Sequence, residues 1–428
     1  MTDKAEAGEL IGQGSAGGAL ASQLNIDMGL ESYFSGSVDE VNYGSVRLQP
    51  ISFQDDIARM ARDVQTAQAG NVKLASLMKE KQLEVHPDKT CYIIMGGKKF
   101  KERVLEELRE SPIMFGDIET RCKEKDKYLG DMLHTDGLAA SVEATVNERA
   151  GKIKAAIYEV AAIMEDFRMQ AMGGLMGAWD LWNMAIVPSL LSNCGVWTEI
   201  QPSTTRKLEE LQETFVRRML HVPQSTPKVS LRSETGLMAM KHRIWIEKVR
   251  MVMAIQKLDD KALASVIYRE QLSQGWPGLA REVKLICEEI NIPDVNCHDL
   301  EKSHIRRAIE EHHKCEIIEE MKKREKKLGD LVENETARVK DYMMLNNIAD
   351  SRTMFRIRTK MLELKANMKN MYGQGNMACD ACSTGTIESQ GHVLDCPGYA
   401  ELRDGLDLSK MKDLVTYFRE VMVQRLNN

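Results

Sequence analysis

The spacing of apolar residues changes period along the chain. From Glu40 to Phe53, Val41, Tyr43, Val46, Leu48 and Ile51 alternate with polar residues around Gly44-Ser45, a pattern that predicts two short strands and a turn. Over Ile57 to Leu83 the spacing of Ile57, Met60, Val64, Ala67, Leu74, Leu77 and Met78 is helical, with a break expected near Gly70. A strand at Thr90 to Met95, a helix near Phe100 to Glu110 and a hairpin from Met114 to Leu133, ended by Asp136-Gly137, complete an α+β region. Beyond Leu138 strand signals almost vanish. Helices are expected at about 138–169, 171–192, 203–221, 237–258 and 300–347, separated by Pro188, Pro202, Pro223, Pro227 and Pro293. Residues 1–18 read as a Gly-rich loop feeding a short helix at Ala19 to Asn25, and a terminal helix is expected from Leu408 to Leu426. The pattern divides the chain into modules at 1–137, 138–370 and 371–428, with a small Cys-bearing unit at about 376–403 inside the last.

Composition agrees with a helical majority: 27 Met and only 5% aromatic residues, in a chain of 428 long enough for two or three cores. No secretion signal and no run of about 20 apolar residues is present, so the expectation is an intracellular chain, in nucleus or cytoplasm, with no membrane partner. Nine cysteines, an odd number, then read as reduced thiols, with any cluster more suited to metal than to disulfides. The net charge of −6 disfavours nucleic-acid binding unless positive charge is local. Such a locality exists at Arg352, Arg356, Arg358, Lys360, Lys365 and Lys369, which reads equally well as a solvated helix face.

Two constellations carry chemistry. Asp55-Asp56 follows an alternating apolar stretch and precedes a helical one, where a strand turn would present two acids at one edge, as a pair of divalent cations requires. Asp259-Asp260, at the end of a helical stretch among charges, is by contrast a solvated cap. The second is Cys379-x2-Cys382-x9-His392-x3-Cys396, three thiolates and an imidazole that make a complete tetrahedral set for structural Zn²⁺ with no position left for water. Cys297, His298, His304, His312, His313 and Cys315 share the right residue types, but their irregular spacing among Glu and Lys argues against a metal site. Cys91, Cys122, Cys194 and Cys287 read as packing residues. No phosphate-binding loop or dinucleotide fingerprint is present, since no strand precedes the glycines of residues 12–18.

In order, the chain shows Ile11-Gly12-Gln13-Gly14-Ser15, Phe53-Gln54-Asp55-Asp56, His86-Pro87-Asp88-Lys89-Thr90, and Lys127-Tyr128-Leu129-Gly130 with Asp136-Gly137. Ala185 to Trp197, Lys207-Leu208-Glu209, Thr226-Pro227, Glu234-Thr235-Gly236-Leu237 and the Cys-Cys-His-Cys unit with Gly385, Thr386, Pro397, Tyr399 and Arg403 follow. This series resembles the C-terminal two-thirds of a non-LTR (LINE-type) retrotransposon reverse transcriptase, from palm motifs B to E through the thumb to the zinc knuckle. The resemblance implies an α+β N-terminal part, a partial palm of the right-hand polymerase fold, followed by a mostly α-helical thumb and connection and a small zinc-knuckle unit.

The resemblance also implies roles. Asp55 and Asp56 would be catalytic and bind Mg²⁺ or Mn²⁺, Gln13 and Gly14 would lie against nucleotide and template, and Lys89 would face the triphosphate. Tyr128, Leu129 and Gly130 would form the primer grip, while Cys379, Cys382, His392 and Cys396 would hold Zn²⁺. The implied partners are an RNA template and a DNA primer. The family's first metal-binding Asp and its basic finger residues lie upstream of motif B, and only about a dozen residues precede Gln13. The expectation is therefore a polymerase fragment inactive alone, completed if at all by a separate polypeptide supplying the fingers and the missing palm strand. The alternative is a non-catalytic nucleic-acid-binding protein derived from such an element.

Overall fold

A computed structural model describes residues 41–48, 51–53, 56–165, 174–295, 301–323, 339–345, 347–372 and 376–427. The loop and short helix expected over residues 1–25 lie outside the described residues. The described chain is mostly helical with small two-stranded sheets. It forms two compact units, one drawn from Met1–Thr145, Val196–Gln201 and Lys248–Leu285, the other from Val146–Gly195, Pro202–Glu247 and Ile286–Asn428.

In the first unit the expected hairpin is present: Val41–Tyr43 pairs antiparallel with Val46–Leu48 around Gly44, whose φ of 62° suits a residue without Cβ. Its anchor is distant in sequence. Glu270, on the helix Leu263–Gln274, accepts from the Ser45 backbone N–H at 3.0 Å and the Ser45 hydroxyl at 2.9 Å, and Tyr43 meets Trp276 edge-on at 4.9 Å. A second antiparallel hairpin, Ile51–Phe53 with Asp56–Ala58, pairs Phe53 with Asp56.

The helix expected from Ile57 begins instead at Val64 and runs unbroken through Gly70 to Glu80. Ile57 and Ala58 are taken by strand pairing, and Asp63 supplies the start signal by accepting from the Thr66 N–H at 2.7 Å. This helix and the helix Lys98–Glu110 build small cores, one of Leu74, Met78 and Phe115, the other of Val64, Ile94, Val104, Leu108 and Ile113. The expected strand at residues 90–95 shrinks to Cys91–Tyr92, parallel to Arg121–Cys122. The expected hairpin at residues 114–133 resolves into two, Met114–Phe115 with Ile118–Glu119 and Lys125–Tyr128 with Asp131–His134.

The second unit is helical. Between the helices Gly174–Leu181 and Val187–Leu190 lies one π turn, Trp182–Ile186, just ahead of Pro188. A proline removes one backbone donor, and a widened turn is one way a helix accommodates that loss. Trp182 is fully buried, stacks on Phe215 of the helix Pro202–Leu220 at 4.4 Å, and donates its indole N–H to Gln212 at 3.3 Å. The helix Lys228–Thr235 ends at Gly236, left-handed at φ 64°. The helix Met240–Ile255 follows.

Of the helix expected over residues 300–347, Lys302–Lys323 is helical and Asp341–Met344 is a 3-10 turn, while residues 324–338 lie outside the described residues. The helices Ile348–Arg358 and Lys365–Tyr372 lead into the Cys-bearing segment, and Met411–Asn427 closes the chain.

Candidate metal centre

The four residues selected by spacing come together. One donor atom from each of Cys379, Cys382, His392 and Cys396 lies within 4.8 Å of the other three. Cys379 Sγ and Cys396 Sγ are 3.8 Å apart, and Cys382 Sγ is 3.4 Å from His392 Nε2. Tetrahedral Zn²⁺ with Zn–S near 2.3 Å and Zn–N near 2.0–2.1 Å demands a sulfur–sulfur edge of about 3.8 Å and a sulfur–nitrogen edge of about 3.5 Å. Both observed edges are close to those values, so the residues present fit the group, and they can hold a metal such as Zn²⁺. The described cysteines are all free thiols.

Local structure explains the convergence. The Cys379 N–H donates to the Thr386 carbonyl at 2.8 Å and the Glu388 N–H to Met377 at 2.8 Å, so a short antiparallel pairing presents Cys379, with Gly385 left-handed at φ 65° in the turn. Ser389 caps the helix Gln390–Asp395 by accepting from the His392 N–H at 3.2 Å, which fixes the phase of His392 and of Cys396 one turn on. Gly398 is obligatory for close approach, because a Cβ there would fall onto the Ala381 carbonyl between the first two cysteines. Hydrogen bonding from Thr384 lowers the Cys382 thiol to about 6, which makes it an available thiolate near neutrality, whereas burial pushes Cys379 up to about 11.

The centre belongs to a larger core. Cys379, Val393, Cys396 and Tyr399 are buried together with Ile357, Leu362, Leu364, Val415, Tyr417, Phe418 and Val421. Glu388, only 1% exposed, receives the Lys365 N–H at 2.9 Å and pairs with Arg425 at 3.1 Å, tying the unit to the helices on both sides of it. Arg403, from the same segment, reaches the Tyr417 hydroxyl at 3.3 Å.

The basic stretch that sequence offered for nucleic-acid contact is largely spent inside the fold. Arg352 donates to the Met219 carbonyl at 2.8 Å and pairs with Glu165 at 2.7 Å, Arg356 donates to the His221 carbonyl at 2.6 Å, and Lys365 pairs with Asp380 at 2.5 Å. Arg358 grips Glu234, itself 1% exposed, at 2.7 and 3.1 Å, and the Tyr342 hydroxyl donates to the same carboxylate at 2.6 Å. The Glu234-Thr235-Gly236 sequence therefore has a structural reason: a buried acid, followed by the glycine that ends its helix.

The palm candidates are less complete. Gln13, Gly14 and Asp55 lie outside the described residues. Asp56 opens the second strand of its hairpin and is exposed, and among the described residues no group of three acidic, His or Cys side chains gathers around it. Lys89 is an exposed residue of the turn after His86, its N–H donating to the His86 carbonyl at 3.2 Å. Leu129 and Gly130 are the two central residues of the hairpin turn between Lys125–Tyr128 and Asp131–His134, with φ of 48° and 90°. That double positive φ belongs to a turn that favours Asn-Gly, so Leu129 sits there at a conformational cost. The Tyr128 hydroxyl is buried without a hydrogen-bond partner among the described residues, and its pKa is raised by burial and by the nearby charge of Asp56. Asp136 pairs with Lys101 at 2.5 Å.

The irregular His/Cys cluster is also rearranged. Cys297 and His298 lie outside the described residues, while His313 is buried and faces His242, a residue that sequence reasoning did not connect with it. No model of a known protein family matches the chain, nor does any curated protein. No helix among the described residues is long and apolar enough to cross a membrane.

Proposed function

We propose that this chain acts on nucleic acid as part of a LINE-type reverse transcriptase, and that its C-terminal unit, held by a structural Zn²⁺, serves to bind template and primer. The observation that carries the reading is the Cys379, Cys382, His392 and Cys396 group, whose edges match a tetrahedral metal. Its place in the motif order, after Asp55-Asp56, the Tyr128-Leu129-Gly130 turn and the Glu234-Thr235-Gly236 sequence, supports the same reading. The strand that opens at Asp56, whose charge helps to raise the Tyr128 pKa, supports an acidic residue beside a primer grip. Two neighbouring carboxylates alone leave a Mg²⁺ pair under-coordinated, so binding without primer extension is the expected activity of this chain by itself.

The test is primer extension on an RNA template with Mg²⁺ or Mn²⁺, comparing the chain with an Asp55→Asn, Asp56→Asn double variant and measuring template binding across salt. The reading expects no extension by either protein and binding that weakens steeply with salt, because phosphate contacts release counterions. Extension by the chain and not by the variant would make it a working polymerase. Absence of salt-dependent binding would overturn the nucleic-acid reading altogether.

A further inference from the structure

Apart from the Cys-Cys-His-Cys centre, a second group of metal-ligating side chains converges in the helical unit. His242 stands in the first turn of the helix Met240–Ile255, and His313 and Glu316 stand three residues apart on the helix Lys302–Lys323, a separation that puts both on one face. One donor atom from each of the three lies within 4.8 Å of the other two. The His242 and His313 rings are 4.8 Å apart between centroids, and His242 Nε2 is 3.5 Å from Glu316 Oε2.

Two features distinguish this group from ordinary packing. His242 is fully buried and His313 is 6% exposed, yet each has one buried ring nitrogen, Nδ1 of His242 and Nε2 of His313, with no hydrogen-bond partner among the described residues. Buried polar atoms are rarely left without partners, so each ring keeps unused ligating capacity, and His242 meets Glu316 through its other nitrogen, Nε2. The surrounding contacts are those that orient ligands. The backbone of Leu237 engages the His313 ring, and Lys241 pairs with Glu316 Oε1 at 2.6 Å, which leaves Oε2 turned toward His242. Burial holds both imidazoles neutral, His242 down to about 2 and His313 to about 4, and neutral imidazole is the form that ligates metal. Glu316 is partly exposed, which gives an ion a route in.

We propose that His242, His313 and Glu316 form a second metal site for a borderline divalent cation such as Zn²⁺. Two imidazoles and one carboxylate select that class over Mg²⁺ or Ca²⁺, which take all-oxygen sets, and three protein ligands leave a position for water or a fourth donor. His312, whose Nδ1 is 3.3 Å from His242 Nε2, and Glu289, which groups with His312 and Glu316, supply further donors at its rim. The site is independent of the nucleic-acid reading and of the thiolate centre.

The two sites differ in colour with Co²⁺, since only thiolate ligands give an intense sulfur-to-cobalt charge-transfer band. The experiment titrates the full metal-free chain with Co²⁺ and follows the charge-transfer and d–d bands together, with bound metal counted by mass spectrometry. Two bound equivalents are expected, one with the charge-transfer band and one without it. Glu316→Gln, on the exposed side of the group, and His313→Gln should each abolish the second equivalent while leaving the charge-transfer band, which also reports that the protein has folded. A wild-type chain that binds only the equivalent with the charge-transfer band overturns the proposal, as does a second equivalent that survives in Glu316→Gln.

Discussion

The segment around Cys379 and the hairpin around Asp56 were both singled out as metal-binding from sequence, and the structure treats them differently. Around Cys379 four donors converge on a common point, the backbone pairing and the Ser389 cap set their directions, and Glu388 with Arg425 fastens the whole to a hydrophobic core. Asp56 is an exposed residue of a short hairpin, and the charge of its carboxylate is felt at the Tyr128 hydroxyl. A structural metal site is written into a few dozen consecutive residues, whereas a two-metal catalytic site draws carboxylates from strands far apart. The first is visible in a spacing, and the second is not.

The largest effect is expected at Glu388. Glu388→Ala strands Arg425 and the Lys365 N–H without their buried partner, so a loss of about 3–5 kcal/mol is expected in denaturant unfolding. A change below about 1 kcal/mol would show that the ion pair does not tie the unit to its helices. Next in size is Gly398→Ala, whose methyl must displace the Ala381 carbonyl; a cost of about 1–3 kcal/mol is expected, with weaker metal retention in competition with a chelator. Unchanged retention would show that the approach of these two segments is irrelevant to the site.

In the first unit the expected effects are smaller. Asp63→Ala removes the cap of the helix Val64–Glu80 and should cost about 1 kcal/mol. The Thr66 N–H holds the Asp63 carboxyl below its ordinary value of 3.8, so this contribution is complete above that pH and disappears as pH falls through the lower, folded value. Acid titration of the wild type and the variant should therefore converge at low pH, and a gap that persists there would contradict the capping role. Smallest of all is Asp56→Asn: for an exposed side chain a stability change within about 0.5 kcal/mol is expected, and a larger one would mean that the carboxylate is part of the fold.

Much of the helical framework was legible because its apolar period is long and its boundaries carry Pro and Gly, as at Pro202 and at Gly236. The start of the helix at Val64 was misplaced since Ile57 and Ala58 satisfy a helical spacing while pairing as a strand, and only the Asp63 cap separates the two. The helices Leu263–Gln274 and Leu279–Glu289 were missed. The basic run at Arg352 to Lys365 could not be read correctly from sequence, because its partners Glu165, Glu234 and Asp380 come from three other segments. His242 was missed as a neighbour of His313 for the same reason: 70 or so residues separate them, and no local spacing encodes a contact between two helices.

The most direct test of the account is hydrogen exchange on the full chain, with and without a chelator, alongside a count of thiolate-bound zinc. One thiolate-bound Zn²⁺ per chain is expected and, after chelation, loss of protection across residues 376–403 and the helix Met411–Asn427, with the helices Val64–Glu80 and Lys98–Glu110 unchanged. No thiolate-bound metal, or protection of residues 376–403 that survives its removal, would contradict a metal-held C-terminal unit.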